Sequence, residues 1–95
     1  MKVNVCGLPH VIDFVDDNFF SDSANFGVVT YSKCRIRINK DMTDDMQRRT
    51  IIHEIVHGML VHIGRDDLSN DETFVQTLAL AIDDSFEIKY LKGDE

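Results

Sequence analysis

The sequence predicts an α+β fold in which a small antiparallel sheet is followed by two packed helices. Apolar and polar residues alternate in the first half of the chain, as in KVNVCG and CRIRIN, with the period of half-buried strands. In the second half the apolar residues recur at the three- and four-residue spacing of a helix. Strands that precede helices indicate helices packed on one face of a sheet. The 95 residues are expected to form one domain, residues 1–95.

Four strand-like segments support the predicted sheet. KVNVCG can pair with HVIDFVDD around Leu8 and Pro9. FGVVTY and CRIRIN are separated by Ser32 and Lys33, which predicts a hairpin with a tight turn. An acidic loop, DDNFFSDSAN, is expected between the two strand pairs.

The first predicted helix has clear signals at both ends. Thr43 is a plausible N-cap, and Asp44 and Asp45 in the first turn complement the helix dipole. The apolar pattern continues to about Ile63, and Gly64 follows as a typical stop signal.

The second predicted helix is capped by Ser69 or Asn70 and runs to about Phe86 or beyond. Only the short stretch RDDLSN separates the two helices, so they are expected to be antiparallel neighbours.

Composition limits the expected partners and location. The formal net charge is −7, and such a surface repels nucleic-acid phosphates and anionic membranes. No segment has the roughly 18 apolar residues of a membrane span, and Asp13 interrupts any signal-peptide core. We therefore expect a cytoplasmic protein with Cys6 and Cys34 as free thiols. A bridge between these two cysteines, both on predicted strands, is the alternative.

The first helix carries His53 and His57 around Glu54 in the pattern His-Glu-x-x-His. Because a helix turns about 100° per residue, the two imidazoles are about 40° apart and can converge on one metal ion. Glu54 lies about 100° from His53, where it can reach a water but is poorly placed as a ligand. Zinc hydrolases use this arrangement, with the glutamate as general base. The alternative is a helix whose histidines only border the core.

His62 is the nearest candidate for a third ligand in the chain. If the helix continues past Gly58, His62 points about 180° from His53 and cannot share its metal ion. We therefore interpret His62 as a polar histidine outside the site.

Glu72 is the preferred third ligand. It lies near the start of the second helix, at the edge of its apolar face, and an antiparallel packing would direct it toward the later half of the first helix. Asp71 is not excluded by its angle. The stretch SNDE also has the Ser-x-x-Glu spacing of a capping box, in which Glu72 would bind the Ser69 amide instead.

TIIHEIVHGMLVHIG followed by DETFVQTLALAI resembles the zincin-like metallopeptidases of the ImmA/IrrE type, especially short phage and prophage members. The resemblance covers about residues 26–86. In that group a hairpin precedes the His-Glu-x-x-His helix, and a glutamate of the next helix is the third ligand. The resemblance implies a Zn2+ ion held by His53, His57 and Glu72, with Glu54 as the catalytic base. A phage-encoded member would act in the cytoplasm of the bacterial host.

The implied activity is hydrolysis of peptide bonds in a protein or peptide substrate by metal-activated water. Tyr31 is our candidate for stabilising the oxyanion, followed by His10 and Tyr90. Many related enzymes have an aspartate four residues after the third ligand, where this chain has Gln76. Its amide oxygen can accept an imidazole N–H, but without the charge of a carboxylate.

The alternative function is a non-catalytic, zinc-stapled phage-type protein that binds or inhibits a host protein. A metal ion that joins two helices would stabilise so small a core. Glu54 separates the two hypotheses, because a structural metal site needs no base.

Overall fold

The structure, a computed structural model, describes residues 1–16, 19–20 and 26–87. Most of the predicted acidic loop and Tyr90 lie outside these ranges. The described strands are β1 (Lys2–Val5), β2 (Leu8–Val15), β3 (Gly27–Thr30) and β4 (Arg35–Asn39). The described helices are α1 (Asp44–His62), α2 (Asp66–Ser69) and α3 (Glu72–Ser85). The predicted α+β fold, with strands before helices, is confirmed.

The four strands form one sheet in the order β1-β2-β4-β3. The two outer pairs are antiparallel hairpins, but β2 and β4 in the centre run parallel, with Val11 opposite Arg35 and Val15 opposite Asn39. The sheet is therefore mixed, and the prediction of a purely antiparallel sheet is wrong. The alternation of apolar and polar residues specifies which face each strand buries. The relative direction of β2 and β4 depends instead on how the two hairpins dock.

Both predicted hairpins are confirmed, with turns that differ from those expected. The first turn is formed by Cys6 and Gly7, with φ of 52° and 81°, and Pro9 lies within β2 opposite Asn4. The second hairpin is closed by a 3-10 turn, Tyr31–Lys33, followed by Cys34 with φ of 49°. Both cysteines thus lie in turns rather than on strands, and both are free thiols.

The ends of α1 match the prediction. The Thr43 side chain accepts a hydrogen bond from the Met46 amide at 3.2 Å, and the helix ends at His62, just before Gly64 with φ of 79°. This cap satisfies a backbone donor that the first helical turn leaves free.

The start of α3 differs from the prediction. RDDLSN contains a one-turn helix, α2, and the N-cap of α3 is Asp71 rather than Ser69 or Asn70. The Asp71 carboxylate accepts a hydrogen bond from the Phe74 amide at 3.0 Å. The alternative capping box is not formed, because the Ser69 hydroxyl contacts His57 and the Glu72 carboxylate contacts the two histidines.

The helix α1 lies between the sheet and α3, and it contributes to two hydrophobic clusters. The cluster on the sheet side is formed by Ile12, Ile36, Ile38 and Ile51, and the cluster toward α3 by Ile52, Val56, Leu60, Val75 and Ala79. A helix buried on two sides presents polar residues only along the remaining edges. Within the ranges described, no helix has the length and apolar content needed to cross a bilayer.

Candidate metal centre

The structure brings His53, His57 and Glu72 together where α1 meets the start of α3. One carboxylate oxygen of Glu72 lies 2.9 Å from Nε2 of His57, and the other lies 3.3 Å from Nε2 of His53. The two imidazole rings are 4.9 Å apart between centroids. The candidate ligand atoms all lie within 4.8 Å of one another. One metal ion could therefore contact all three side chains after small side-chain adjustments.

The other ring nitrogen of each histidine has its own partner. Nδ1 of His53 lies 2.8 Å from the amide oxygen of Gln76, which can only accept. Nδ1 of His57 lies 3.1 Å from the Ser69 hydroxyl, which itself donates to the His57 carbonyl at 3.4 Å. Both Nδ1 atoms are therefore donors, and in the neutral rings both Nε2 lone pairs face the Glu72 carboxylate.

This arrangement fits a metal ion. Two lone pairs and a carboxylate pointing at one region repel each other unless a proton or a cation lies between them. Burial lowers the pKa of His57, although the nearby Glu72 carboxylate opposes that effect. Lowering the pKa disfavours the second proton on the ring. Two neutral imidazoles and one carboxylate are a preferred ligand set of Zn2+.

Two other carboxylates at α3, those of Asp71 and Asp83, have different partners. The Asp71 side chain caps α3. Asp83 accepts hydrogen bonds from Arg48 at 2.9 Å and from Arg49 at 3.2 Å, at the other end of α3. Glu72 is thus the acidic residue that the structure places against the two histidines.

Glu54 lies in the wall of the same cleft, beside the three candidate ligands but outside their cluster. It is 8% exposed. Burial, and to a smaller extent the Glu72 charge, raise the pKa of Glu54 to about 7. A divalent cation next to it would have the opposite effect and favour the ionised form. Glu54 is therefore a buried carboxyl group whose charge would respond to a cation in the neighbouring site.

The cleft has a volume of about 690 Å³ and is bounded by β3, α1 and the start of α3. Tyr31, the predicted oxyanion residue, contributes to its wall. His10, the second candidate, is fully buried and belongs to another cluster with Cys34 and His62. His62 therefore lies apart from His53, as the helical angle predicts.

The strand β3 forms one edge of the described sheet and one wall of the cleft. The Asn39 amide donates to the Phe26 carbonyl at 2.9 Å, which sets the alternation of hydrogen bonds between β3 and β4. In this alternation Val28 and Thr30 bond to β4. The backbone groups of Gly27 and Val29 point away from the sheet.

Gly27 lets β3 approach α1 closely. A Cβ atom at this position would lie 2.8 Å from Cγ2 of Thr50 and 3.3 Å from the Arg37 carbonyl oxygen. The absence of a side chain therefore sets the width of the cleft at this point.

Ser69 is the site residue that sequence reasoning missed. Its hydroxyl fits the spacing of a helix cap, and the linear pattern does not distinguish a capping serine from one that contacts the preceding helix. Only the one-turn helix α2 places Ser69 against His57. Gln76, by contrast, makes the imidazole contact that its position predicted.

No family model, curated protein sequence or solved structure matches this chain. The resemblance to zincin-like metallopeptidases therefore stays a prediction, and the geometry of the cleft is the basis for a proposed function.

Proposed function

We propose that this chain is a zinc-dependent metallopeptidase that hydrolyses peptide bonds of a protein or peptide substrate. The observation that carries the proposal is the convergence of His53, His57 and Glu72 beside the buried carboxyl group of Glu54 in one cleft. A zinc ion held by His53, His57 and Glu72 would keep a position for water, lower the pKa of that water and polarise a carbonyl group.

The residues of the chain have distinct roles in this proposal. Glu54 accepts the proton of the attacking water and delivers it to the leaving amine. Gln76 and Ser69 hold the two imidazoles in the orientation that directs Nε2 toward the metal site. Tyr31, which also lines the cleft, can donate a hydrogen bond to the oxyanion.

The edge of β3 supports an extended polypeptide as the substrate. The outward backbone groups of Gly27 and Val29 can pair with a peptide strand, which would then lie along the cleft. Recognition through backbone hydrogen bonds requires an unfolded or extended segment, so flexible proteins are the substrates to test first. We also propose a cytoplasmic location, which the two free thiols support.

The substitution Glu54→Gln tests the proposal, because it keeps the size of the side chain and removes its basicity. Wild type and variant, both loaded with zinc, should be incubated with a mixture of disordered proteins, and new termini counted by mass spectrometry. We expect cleavage to fall by at least about a hundredfold while zinc content and melting temperature are retained. Asp66→Asn, which removes an exposed carboxylate on α2, is the matched control and should cleave normally. A zinc-loaded Glu54→Gln protein with full activity would contradict the proposal that the chain is a peptidase.

A zinc-stapled binding protein is the second candidate. It is favoured by the position of Glu72, which links the start of α3 to α1, and by Phe26 and Val28, which are exposed beside the cleft. For this function Glu54→Gln should leave partner affinity unchanged. A loss of partner affinity in Phe26→Ala, together with unchanged partner affinity in Glu54→Gln, would support the binding protein.

A further inference from the structure

A second group of potential metal ligands lies away from the cleft. His10 is on β2, Cys34 ends the turn between β3 and β4, and His62 is the last residue of α1. Each residue offers one ligand atom, a ring nitrogen or Sγ, and these atoms lie within 4.8 Å of one another. Three elements that are distant in sequence thus meet at one point.

The two imidazoles of this group lack partners at one nitrogen. Nδ1 of the fully buried His10 lies 2.9 Å from the Leu8 carbonyl, to which it donates, so its Nε2 carries a lone pair. This Nε2 atom and the Nε2 atom of His62 are both buried without a hydrogen-bond partner. The rings meet edge to face at 5.5 Å. Buried polar atoms without partners are uncommon in folded proteins and call for an explanation.

The backbone arranges these side chains in advance. The Val11 amide donates to the Cys34 carbonyl at 3.0 Å, which fixes Cys34 beside the residue that follows His10. The candidate ligand atoms lie within 4.8 Å of one another, compared with about 3.3–3.8 Å in a tetrahedral zinc site. A thiolate and two imidazoles are ligands that zinc prefers over magnesium or calcium.

We propose that His10, Cys34 and His62 bind a second Zn2+ ion, which ties β2, the β3–β4 turn and the end of α1 together. The ion would bind both unpartnered Nε2 atoms and the Cys34 thiolate. This site is independent of the peptidase function proposed for the cleft.

Cobalt titration of the metal-free, reduced protein tests the proposal, because a cysteine ligand gives an intense near-ultraviolet charge-transfer band. We expect two equivalents of Co2+ to bind, with the band arising from one of them. Cys34→Ser should lose the band and one equivalent. Cys6→Ser is the matched control, since Cys6 is also a free cysteine in a left-handed turn position, and it should keep both. His57→Ala should lose one equivalent from the cleft and keep the band.

A measurement on the wild-type chain avoids any folding defect of the variants. The rate of Cys34 alkylation by iodoacetamide should fall by about tenfold or more when zinc is added, because a metal-bound thiolate is a poor nucleophile. Cys6 serves as the internal control and should react at an unchanged rate. Equal alkylation of Cys34 with and without zinc, or a single equivalent of cobalt that gives no sulfur band, would overturn the proposal. Peptidase activity affects neither readout.

Discussion

The two histidine groups on α1 have different surroundings. His53 and His57 face an open cleft, contact the carboxylate of Glu72, and are oriented by side chains of the following helices. His62 faces the interior beside His10, whose ring is oriented by a backbone carbonyl. The third member of this group is Cys34. One helix thus separates a group that opens onto the cleft from a more buried one, here called the closed group.

The difference follows from helical rotation and from access to solvent. His53 and His57 are four residues apart and share an edge of the helix, whereas His62, five residues after His57, points to another side. An open zinc site can admit water and substrate, and a closed site contributes to stability. Under the two proposals, the same residue type would support chemistry in the cleft and structure in the second group.

The largest expected effect is the loss of a cleft ligand. In a Cys34→Ser background, which isolates the cleft, His57→Ala should lower zinc affinity by more than about a hundredfold, since removal of an outer partner alone costs 10–100-fold. His62→Ala in the same background should change this affinity by no more than a few-fold. Competition with a chromophoric chelator measures both. Equal losses in the two variants would mean that α1 does not separate the groups.

The partners that orient the cleft histidines should have the next largest effect. Ser69→Ala and Gln76→Ala should each lower zinc affinity of the cleft by about 10–100-fold, because each removes the acceptor of an imidazole N–H. The exposed turn residue Ser32 provides the control, and Ser32→Ala should not change the affinity. Wild-type affinity in both Ser69→Ala and Gln76→Ala would contradict the role of these contacts.

Gly27→Ala should damage the cleft and leave the closed group intact. The new Cβ would meet Thr50 Cγ2 at 2.8 Å, and a buried β-branched side chain cannot easily move aside. We expect a loss of about 1–3 kcal/mol in the free energy of unfolding, measured with urea. Adding Thr50→Ser removes that methyl group, keeps the hydroxyl bond to Met46, and should restore part of the loss. No recovery would show that another contact limits the approach of β3.

Asp71 and Glu72 should separate helix capping from metal binding. Asp71→Ala should cost about 1 kcal/mol of metal-free stability, because the Phe74 amide loses its acceptor, and should leave zinc affinity unchanged. Glu72→Gln should leave metal-free stability unchanged and lower zinc affinity. If Asp71→Ala lost zinc and Glu72→Gln kept it, the chosen carboxylate ligand would be wrong.

The smallest expected effect concerns the ion pairs at the far end of the two helices. Hydrogen bonds from Arg48, with a further contribution from Arg49, hold the pKa of Asp83 below its ordinary value. A lowered pKa stabilises the fold above the ordinary aspartate pKa of about 3.9, and this contribution disappears as the pH falls through the lower folded pKa. Asp83→Asn should therefore lower the melting temperature by a few degrees at pH 6.

The pH dependence of that difference is the check. In metal-free protein the gap between wild type and Asp83→Asn should close as the pH decreases below about 4, because wild-type Asp83 becomes protonated as well. A gap that is constant with pH would show that the ion pairs with Arg48 and Arg49 do not contribute.

Local features of the chain could be predicted from the sequence. The cap at Thr43, the end of α1 near Gly64 and the angle between His53 and His57 depend on short stretches, and helical geometry fixes them. The approach of Glu72 was predictable because a short connection limits how two helices can pack.

Long-range features could not be predicted in the same way. Two such features arise when distant segments dock: the parallel contact of β2 with β4, and the meeting of His10, Cys34 and His62. The pattern of residues within one segment does not indicate which distant segment it will contact. Ser69 was misassigned for a related reason, because the turn α2 changes the direction of a hydroxyl that looks like a cap.

The parallel contact between β2 and β4 also bears on how the chain folds. Each hairpin closes through a short turn, so both can form early, whereas joining them along β2 and β4 brings together more distant segments and carries a larger entropy cost. His10 and Cys34 come into register only at this later step. In a refolding experiment with cobalt present, the sulfur band should therefore appear after the hairpins, which would make the proposed second metal site a kinetic marker of sheet assembly.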